Sequence, residues 1–204
     1  SIKRKEDPKL LKGEGKYVDD ISPSNSAVMV FFRSPVAHAK ILKIDCSIAK
    51  KIKGILKIYD AQELKGKLQN EMDYSVIKNK DGKYATKTTR PILAEKKVNF
   101  VGEAILAIVA VNKEIGLNAL ETIDFEYEEY KANIGFENNI SSIHSEIENN
   151  LGMDWSFGNE KKVNNIFSKV KHKVKIDLTD NRVLANPIET RGCFAEYKNK
   201  ILHL

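Results

Sequence analysis

Cysteine is scarce in this sequence. Its 204 residues include two cysteines, Cys46 and Cys193, which lie far apart and form no CxxC pair. Four thiolates are needed to hold an iron–sulfur cluster, so these two residues exclude a cluster carried by this chain alone. A single disulfide between them is one possibility, but we predict two buried free thiols.

Long apolar runs are also missing. No apolar stretch approaches the roughly 20 residues that a membrane-spanning helix needs, and residues 1–7 are charged and lack the apolar core of a secretory signal. We therefore expect a cytoplasmic protein without a membrane partner. Because the sequence does not begin with methionine, we also expect a processed chain or a cloned fragment.

Arginine is rare, although the net charge is +6. The positive charge comes mostly from lysines, which are spread along the chain and interleaved with Glu and Asp. Base and phosphate recognition favours arginine forks clustered on one face. The charge pattern therefore indicates a solvated surface and no nucleic-acid partner.

The apolar residues that are present predict an α+β domain ending near Tyr130. Strand-length runs or period-two alternation cover residues 27–32, 39–44, 55–59, 104–111 and 124–128. The first run is continuous and predicts a strand buried on both faces. A short helix is expected over 46–53, closed by Gly54 at its carboxyl end. A second helix, with Asn112 as its N-cap, carries Ile115, Ala119, Leu120 and Ile123 on one face.

Other stretches are less ordered. Residues 65–90 predict a loop that could contain a hairpin, with a turn at 80–83, and residues 131–159 predict a linker. Beyond the linker, Val163, Ile166, Phe167 and Val170 mark a helical face, and residues 172–178 alternate with strand period. Residues 192–204 predict a hairpin turning at 198–200. This hairpin stops inside its second strand, which leads us to expect a truncated chain.

Candidate chemical motifs fail when their spacing is checked. In Gly13-Glu14-Gly15-Lys16-Tyr17, a tyrosine occupies the Ser or Thr position of a phosphate-binding loop, and Val18 replaces the third glycine of a dinucleotide loop. We interpret the two glycines as parts of a tight turn.

No catalytic or metal-binding set can be assembled from the His and Glu residues. The histidines, at 38, 144, 172 and 203, have no HxxxH spacing. His38 is interpreted as a loop histidine that bonds backbone carbonyls. The possible general bases Glu6, Glu103 and Glu189 are interpreted as carboxylates that accept backbone N–H bonds or pair with arginine. We assign no catalytic, cofactor-binding or metal-binding residue.

Four segments, read in order, resemble a known family. These signature segments are residues 4–21 (first), 33–41 (second), 98–110 (third) and 186–192 (fourth). They resemble the amino-terminal part of the molybdenum-binding large subunits of the xanthine dehydrogenase and aldehyde oxidase type, a family that includes carbon monoxide dehydrogenase. The departures are Ala104 for a common Pro, Ile188 for Met, Thr190 for Pro, and Lys131 where a Leu-Pro pair often follows.

The resemblance implies a fold and a division of the chain. Residues 1–130 would form an amino-terminal segment with an α/β hammerhead domain, 131–159 a linker, and 160–204 the beginning of the first molybdopterin-binding domain. In this family, aldehydes, purines, related N-heterocycles or CO are oxidised at molybdenum with oxygen from water. Electrons pass through 2Fe–2S clusters to FAD, often on separate small and medium subunits.

The resemblance also implies that this chain holds no cofactor. The family's molybdopterin-binding loops and general-base glutamate lie downstream of the fourth signature segment, so molybdenum would bind only in the complete enzyme. Two hypotheses follow. The chain is a structural portion of a molybdenum hydroxylase, inactive alone, or it is a stand-alone hammerhead-containing binding or assembly module without catalytic activity.

Overall fold

A computed structural model describes residues 4–21, 23–68, 77–86, 90–135, 141–181 and 183–204. The chain forms two compact units. The larger unit is Ala27–Asn165, and the smaller unit combines Ser1–Ser26 with Ile166–Leu204. The division at residues 130 and 160 remains a prediction.

The described residues form both strands and helices, as the sequence pattern predicts. The strands are β1 Val28–Arg33, β2 Ala39–Asp45, β3 Ile55–Tyr59, β4 Lys97–Val98, β5 Ala104–Ala110, β6 Asp124–Glu129, β7 Glu196–Lys198 and β8 Ile201–His203. The helices are α1 Asp7–Leu11, α2 Ala61–Leu64, α3 Lys113–Leu120 and α4 Glu160–Lys169, with 3₁₀ turns at Val18–Asp20, Ala49–Lys51 and Glu148–Asn150. None of these helices has the length and apolar character needed to cross a bilayer.

Strand β5 is the centre of the first sheet, whose order is β1-β5-β3 with antiparallel pairing on both sides. Its Ile105, Leu106 and Ile108 are among the most deeply buried side chains of the described residues. Consecutive residues from Ile105 to Ile108 are buried, so both faces of this strand are covered, which explains its continuous apolar sequence. The strand predicted at 104–111 is confirmed.

Strand β1 is confirmed, but the prediction that both of its faces are buried is wrong. It lies at the edge of the sheet, where Val30 is buried and Met29 is 51% exposed. Val30 packs under α3, where a Cβ added to Gly116 would lie 3.0 Å from its Cγ2 atom. A continuous apolar run does not distinguish a central strand from an edge strand, because periodicity reports apolar character and not the number of neighbours.

Helix α3 begins where the sequence predicts. The Asn112 side chain accepts a hydrogen bond from the Ile115 N–H at 2.9 Å, which satisfies one of the free donors of the first turn. The helix ends at Leu120, so Ile123 follows it and packs against the core from the loop before β6.

The second sheet has the order β4-β2-β6, also antiparallel. Strands β2 and β6 pair along their whole lengths, from Ala39 opposite Glu129 to Asp45 opposite Asp124. The two sheets share one apolar core. Phe32 of the first sheet meets Phe125 of the second edge to face, with ring centroids 5.6 Å apart.

Two connections differ in detail from the predictions. Residues 46–53 contain the 3₁₀ turn Ala49–Lys51 in place of the predicted α-helix. Gly54 has φ +99°, as its predicted helix-closing position requires. In the loop at 65–90, an isolated bridge between Lys78 and Tyr84 confirms a small hairpin, while 69–76 and 87–89 lie outside the described residues.

The smaller unit contains the predicted terminal hairpin. Strands β7 and β8 pair antiparallel, and Asn199 and Lys200 at the turn both have positive φ. The strand predicted at 172–178 is absent, because no strand of the described residues pairs with that segment. Alternation favours an extended chain, but a strand also needs a hydrogen-bonding neighbour.

Candidate functional site

The second and third signature segments meet in one backbone contact, which we call the Ser34–Glu103 junction. The Ser34 N–H donates to the Glu103 carbonyl at 2.9 Å, and the Gly102 N–H donates to the Ser34 carbonyl at 2.9 Å. The Arg33 guanidinium adds a 2.8 Å bond to the Gly102 carbonyl. The junction extends the β1–β5 pairing past the irregularity after Phe32. It therefore lies where β1 ends and β5 begins.

Glu103 is the buried carboxylate of this junction, only 5% exposed. Its side chain accepts backbone N–H bonds from Asn99 and Phe100, and these bonds close the turn before β5. Burial raises the pKa of Glu103, while the two N–H donors and the charge of Lys97 act in the opposite direction. The interpretation of Glu103 as a carboxylate that accepts backbone bonds is confirmed.

Ser34 is buried at the end of β1. Its hydroxyl oxygen donates to the Val36 carbonyl at 2.7 Å and accepts the Val36 N–H at 3.2 Å, which closes the turn after β1. The Ser34-Pro35 pair was the signal for this turn, since proline restricts the residue before it and removes a donor. On the opposite strand, Gly102 has φ +87°, a backbone conformation that favours glycine.

His38 is the third buried polar residue of this region. Its Nδ1 atom lies 3.4 Å from the Lys131 carbonyl, so it donates there when the proton is on Nδ1. Its ring meets Tyr130 edge to face at 5.2 Å, and its own carbonyl accepts the Tyr130 N–H at 2.8 Å. The interpretation of His38 as a histidine that bonds backbone is confirmed.

The first and fourth signature segments meet within the smaller unit. The Val18 N–H donates to Glu189 Oε1 at 3.3 Å, and the Thr190 hydroxyl lies 3.4 Å from Asp19 Oδ2. A Cβ added to Gly192 would lie 2.9 Å from a Val18 methyl carbon, so the two segments approach too closely for alanine without a shift. Glu189 therefore accepts a backbone bond, as its sequence interpretation requires.

The remaining candidates of the smaller unit are arranged around an open cleft. Gly13 has φ +71°, and a Cβ on Gly15 would lie 2.5 Å from Leu10, so both glycines serve the predicted turn. Glu6 occupies the N-cap position of α1, but its side chain makes no capping bond. The cleft, of about 750 Å³, is lined by four carboxylates and three basic side chains together with Leu10, Gly15 and Tyr17. Because the lining carries both negative and positive side chains, it favours neither an anionic nor a cationic ligand.

The described residues do not fit a metal ion. Among them, no group of three or more His, Cys, Asp or Glu side chains is placed to hold one. Both cysteines are free, as predicted, but the prediction that both are buried is wrong, since Cys46 is half-buried and Cys193 is exposed. Burial raises the pKa of the Cys46 thiol, which leaves it a weak ligand.

Comparison with known proteins places these features in one family. Residues 12–131 match the profile described as "Aldehyde oxidase and xanthine dehydrogenase, a/b hammerhead domain". The chain is 32% identical over 203 residues to the nicotine 6-hydroxylase large subunit of Paenarthrobacter nicotinovorans, covering 97% of this chain and 24% of that protein. It is 26% identical over 209 residues to the carbon monoxide dehydrogenase large chain of Afipia carboxidovorans, covering 95% and 25%.

A solved structure shows the same fold. The crystal structure of the Cu,Mo-CO dehydrogenase superposes with a TM-score of 0.66 at 24% identity, covering 84% of this chain and 22% of that one. The chain spans about a quarter of the length of the curated relatives it matches. Hence the matched part of these large subunits includes the hammerhead domain and leaves about three quarters of their length outside the comparison.

Proposed function

This chain belongs to the aldehyde oxidase and xanthine dehydrogenase family, and from that membership we propose that it forms the amino-terminal part of the large subunit of a molybdenum hydroxylase. The observation that carries the proposal is the pairing of the signature segments. The four stretches that identify the family are the same four that contact each other in pairs, the second with the third and the first with the fourth.

The role we propose for these residues is structural. Glu103, Glu189 and His38 each have a side-chain polar atom within hydrogen-bonding distance of a backbone group, which supports a role in holding these segments together. A carboxylate or imidazole that acts on a substrate must instead present a free atom within about 3 Å of the reacting group. The chain alone is therefore proposed to be inactive.

Cofactors are proposed to come from outside this chain. Molybdopterin would supply the molybdenum at which substrate is oxidised, and FAD and 2Fe–2S clusters would lie on medium and small partner subunits. Among the described residues, no group of three or more His, Cys, Asp or Glu side chains is placed to hold a metal ion. We therefore derive no catalytic step through this chain.

The substrate class is proposed from the relatives. The matched relatives include proteins named for nicotine, carbon monoxide and hypoxanthine. An aldehyde, a purine, a related N-heterocycle or CO is therefore the substrate that we propose for the complete enzyme, oxidised with water as the oxygen source. We propose a cytoplasmic location for that enzyme.

A second candidate, a stand-alone binding or assembly module, is favoured by one feature. Residues Ala27–Asn165 form a compact unit in which two sheets share an apolar core, so the hammerhead part has the elements of an independently folding domain. Such a module would assemble with other proteins without taking part in oxidation.

Purification of the tagged chain from its native host separates the two candidates. We expect the chain to be recovered with, or within, a complex that contains about one molybdenum, one FAD and two 2Fe–2S clusters per copy. The recombinant chain alone should bind none of them. Elemental analysis and flavin fluorescence measure these quantities. A native complex free of molybdenum would contradict the hydroxylase proposal and favour the module, and molybdenum retained by the isolated chain would contradict the structural role.

A further inference from the structure

One segment of the smaller unit has the sequence of a strand but no partner strand. In residues 172–178, the apolar side chains Val174, Ile176 and Leu178, here called the apolar stripe, are 70–87% exposed. Within the described part of the chain, no strand pairs with this segment. Its backbone donors and acceptors are thus open to a neighbouring strand.

The two faces of this segment differ in character. Lys175 Nζ lies 3.5 Å from Asp177 Oδ1, so the charged side chains two residues apart share one side, as they do on an extended chain. The stripe residues alternate with them and belong to the opposite side. The segment therefore has one apolar face and one charged face, which is the pattern of an edge strand with one side on a core.

We propose that residues 172–178 add as an edge strand to a sheet in the remaining three quarters of the large subunit, with the apolar stripe packed into that sheet's core. This inference rests on the proposed function, because it takes its partner from the length of the relatives that lies outside the match. Strand addition of this kind uses main-chain bonds for affinity and alternate side chains for specificity.

A second copy of the chain is a less favourable pairing partner for residues 172–178 than a strand from the rest of the large subunit. Lys171, Lys173 and Lys175 are spaced two residues apart along the same edge. Antiparallel pairing of this segment with itself about its central residue places Lys175 directly opposite the Lys175 of the second copy, and like charges in that position destabilise a sheet. A partner strand of another sequence has no such conflict.

The test is hydrogen exchange in the complete large subunit. We expect the amides of 172–178 to exchange at least 100-fold more slowly there than in the chain alone. Ile176→Asp, which places a charge in the apolar stripe, should remove at least tenfold of that protection. Lys175→Asp is the matched control, since it places the same side chain on the charged face, and it should keep the protection within twofold.

Every other outcome contradicts either the strand addition or the proposed function. Fast exchange of 172–178 in a subunit that contains molybdenum would overturn the strand addition and leave the proposed function standing. Slow exchange in a subunit without molybdenum would instead contradict the hydroxylase assignment. Equal loss of protection in Ile176→Asp and Lys175→Asp would contradict the assignment of Ile176 to the apolar face and of Lys175 to the charged face. Protection in the chain alone, together with a doubled mass by light scattering, would identify a second copy as the occupant.

Discussion

Ser34 and Glu103 are 69 residues apart in the sequence, yet the Ser34 N–H donates to the Glu103 carbonyl at 2.9 Å, and both side chains are buried. Neither residue holds the other through its side chain. The Ser34 hydroxyl closes its own turn, and the Glu103 carboxylate closes the facing one. The turn at Ser34 and the turn at Glu103 are thus each stabilised by a bond from their own side chain, and backbone hydrogen bonds join the two turns.

Gly102→Ala should destabilise the chain by about 1–2 kcal/mol, because alanine at φ +87° takes a left-handed backbone conformation. Nothing lies within 4 Å of the added Cβ, so the cost is one of conformation and not of packing. Urea unfolding measures it. Gly152→Ala is the control, since Gly152 is not at positive φ and has only one contact, at 4.0 Å, and its change should stay near zero. Equal stability of Gly102→Ala and the parent would argue against a demanding turn here.

Glu103→Gln should flatten the dependence of stability on pH. The pKa of Glu103 is raised by burial above its ordinary 4.5, so the folded chain holds this proton more readily than the unfolded chain. The stability due to this group is present below the ordinary pKa and is lost as pH rises through the raised value. At pH values above the raised pKa, the glutamine of the variant avoids the cost of burying a charged carboxylate. The free energy of unfolding should therefore fall less steeply for the variant than for the parent as pH rises from 4.5 to 7.

Glu95→Gln is a control, because the contribution of Glu95 to stability changes with pH in the opposite direction. A hydrogen bond from Lys65 lowers the pKa of Glu95, so its contribution is present at neutral pH and is lost on acidification through the lowered value. This variant should reduce the loss of stability at acidic pH. Parallel pH profiles for the parent and Glu103→Gln would show that the burial of Glu103 has no effect on its protonation.

His38→Ala should cost about 1–3 kcal/mol, because it removes the contact with the Lys131 carbonyl and the edge-to-face contact with Tyr130 at a buried position. In the complete enzyme, turnover per bound molybdenum should stay within about twofold of the parent, since the proposed role is structural. Thermal unfolding and metal-normalised kinetics are the two measurements. The exposed His203→Ala should change neither quantity. A large fall in turnover at an unchanged melting temperature would place His38 in the active site.

Asn112→Ala should lower stability by about 1 kcal/mol, because it removes the side chain that accepts the Ile115 N–H at the start of α3. Asn118→Ala is the matched control. Asn118 is an exposed residue inside the same helix, so alanine there should be neutral or slightly stabilising. Chemical denaturation of both variants decides the matter, and equal effects would contradict a specific capping role for Asn112.

Local patterns were sufficient to predict most of the elements. Strand β5 and helix α3 were predicted near their observed bounds, because the apolar spacing and the Asn112 cap that indicate them lie within short stretches of the sequence. The family resemblance, and with it the hammerhead fold, was confirmed by the match over residues 12–131. These features depend on residues close together in sequence.

Local patterns did not predict which strands and backbone groups pair with one another. The apolar run of β1 gave no sign that it lies at a sheet edge, and the alternation at 172–178 gave no sign that a partner strand is missing from the described chain. The Ser34–Glu103 junction was likewise not foreseen, because its bonds join backbone groups that every residue carries. The buried state of Ser34 follows from that junction and not from the serine itself.

The contact between Val18 and Glu189 has a consequence for the order of folding. These residues are 171 positions apart, and ribosomes add about 5–20 residues per second, so the amino-terminal segment waits roughly ten to thirty seconds for its partner. All of Ala27–Asn165 is synthesised within that interval. The segment around Val18 thus leaves the ribosome before Ala27–Asn165 but finds its partner only after that unit has been synthesised, and a chaperone that shields this segment would act in this gap.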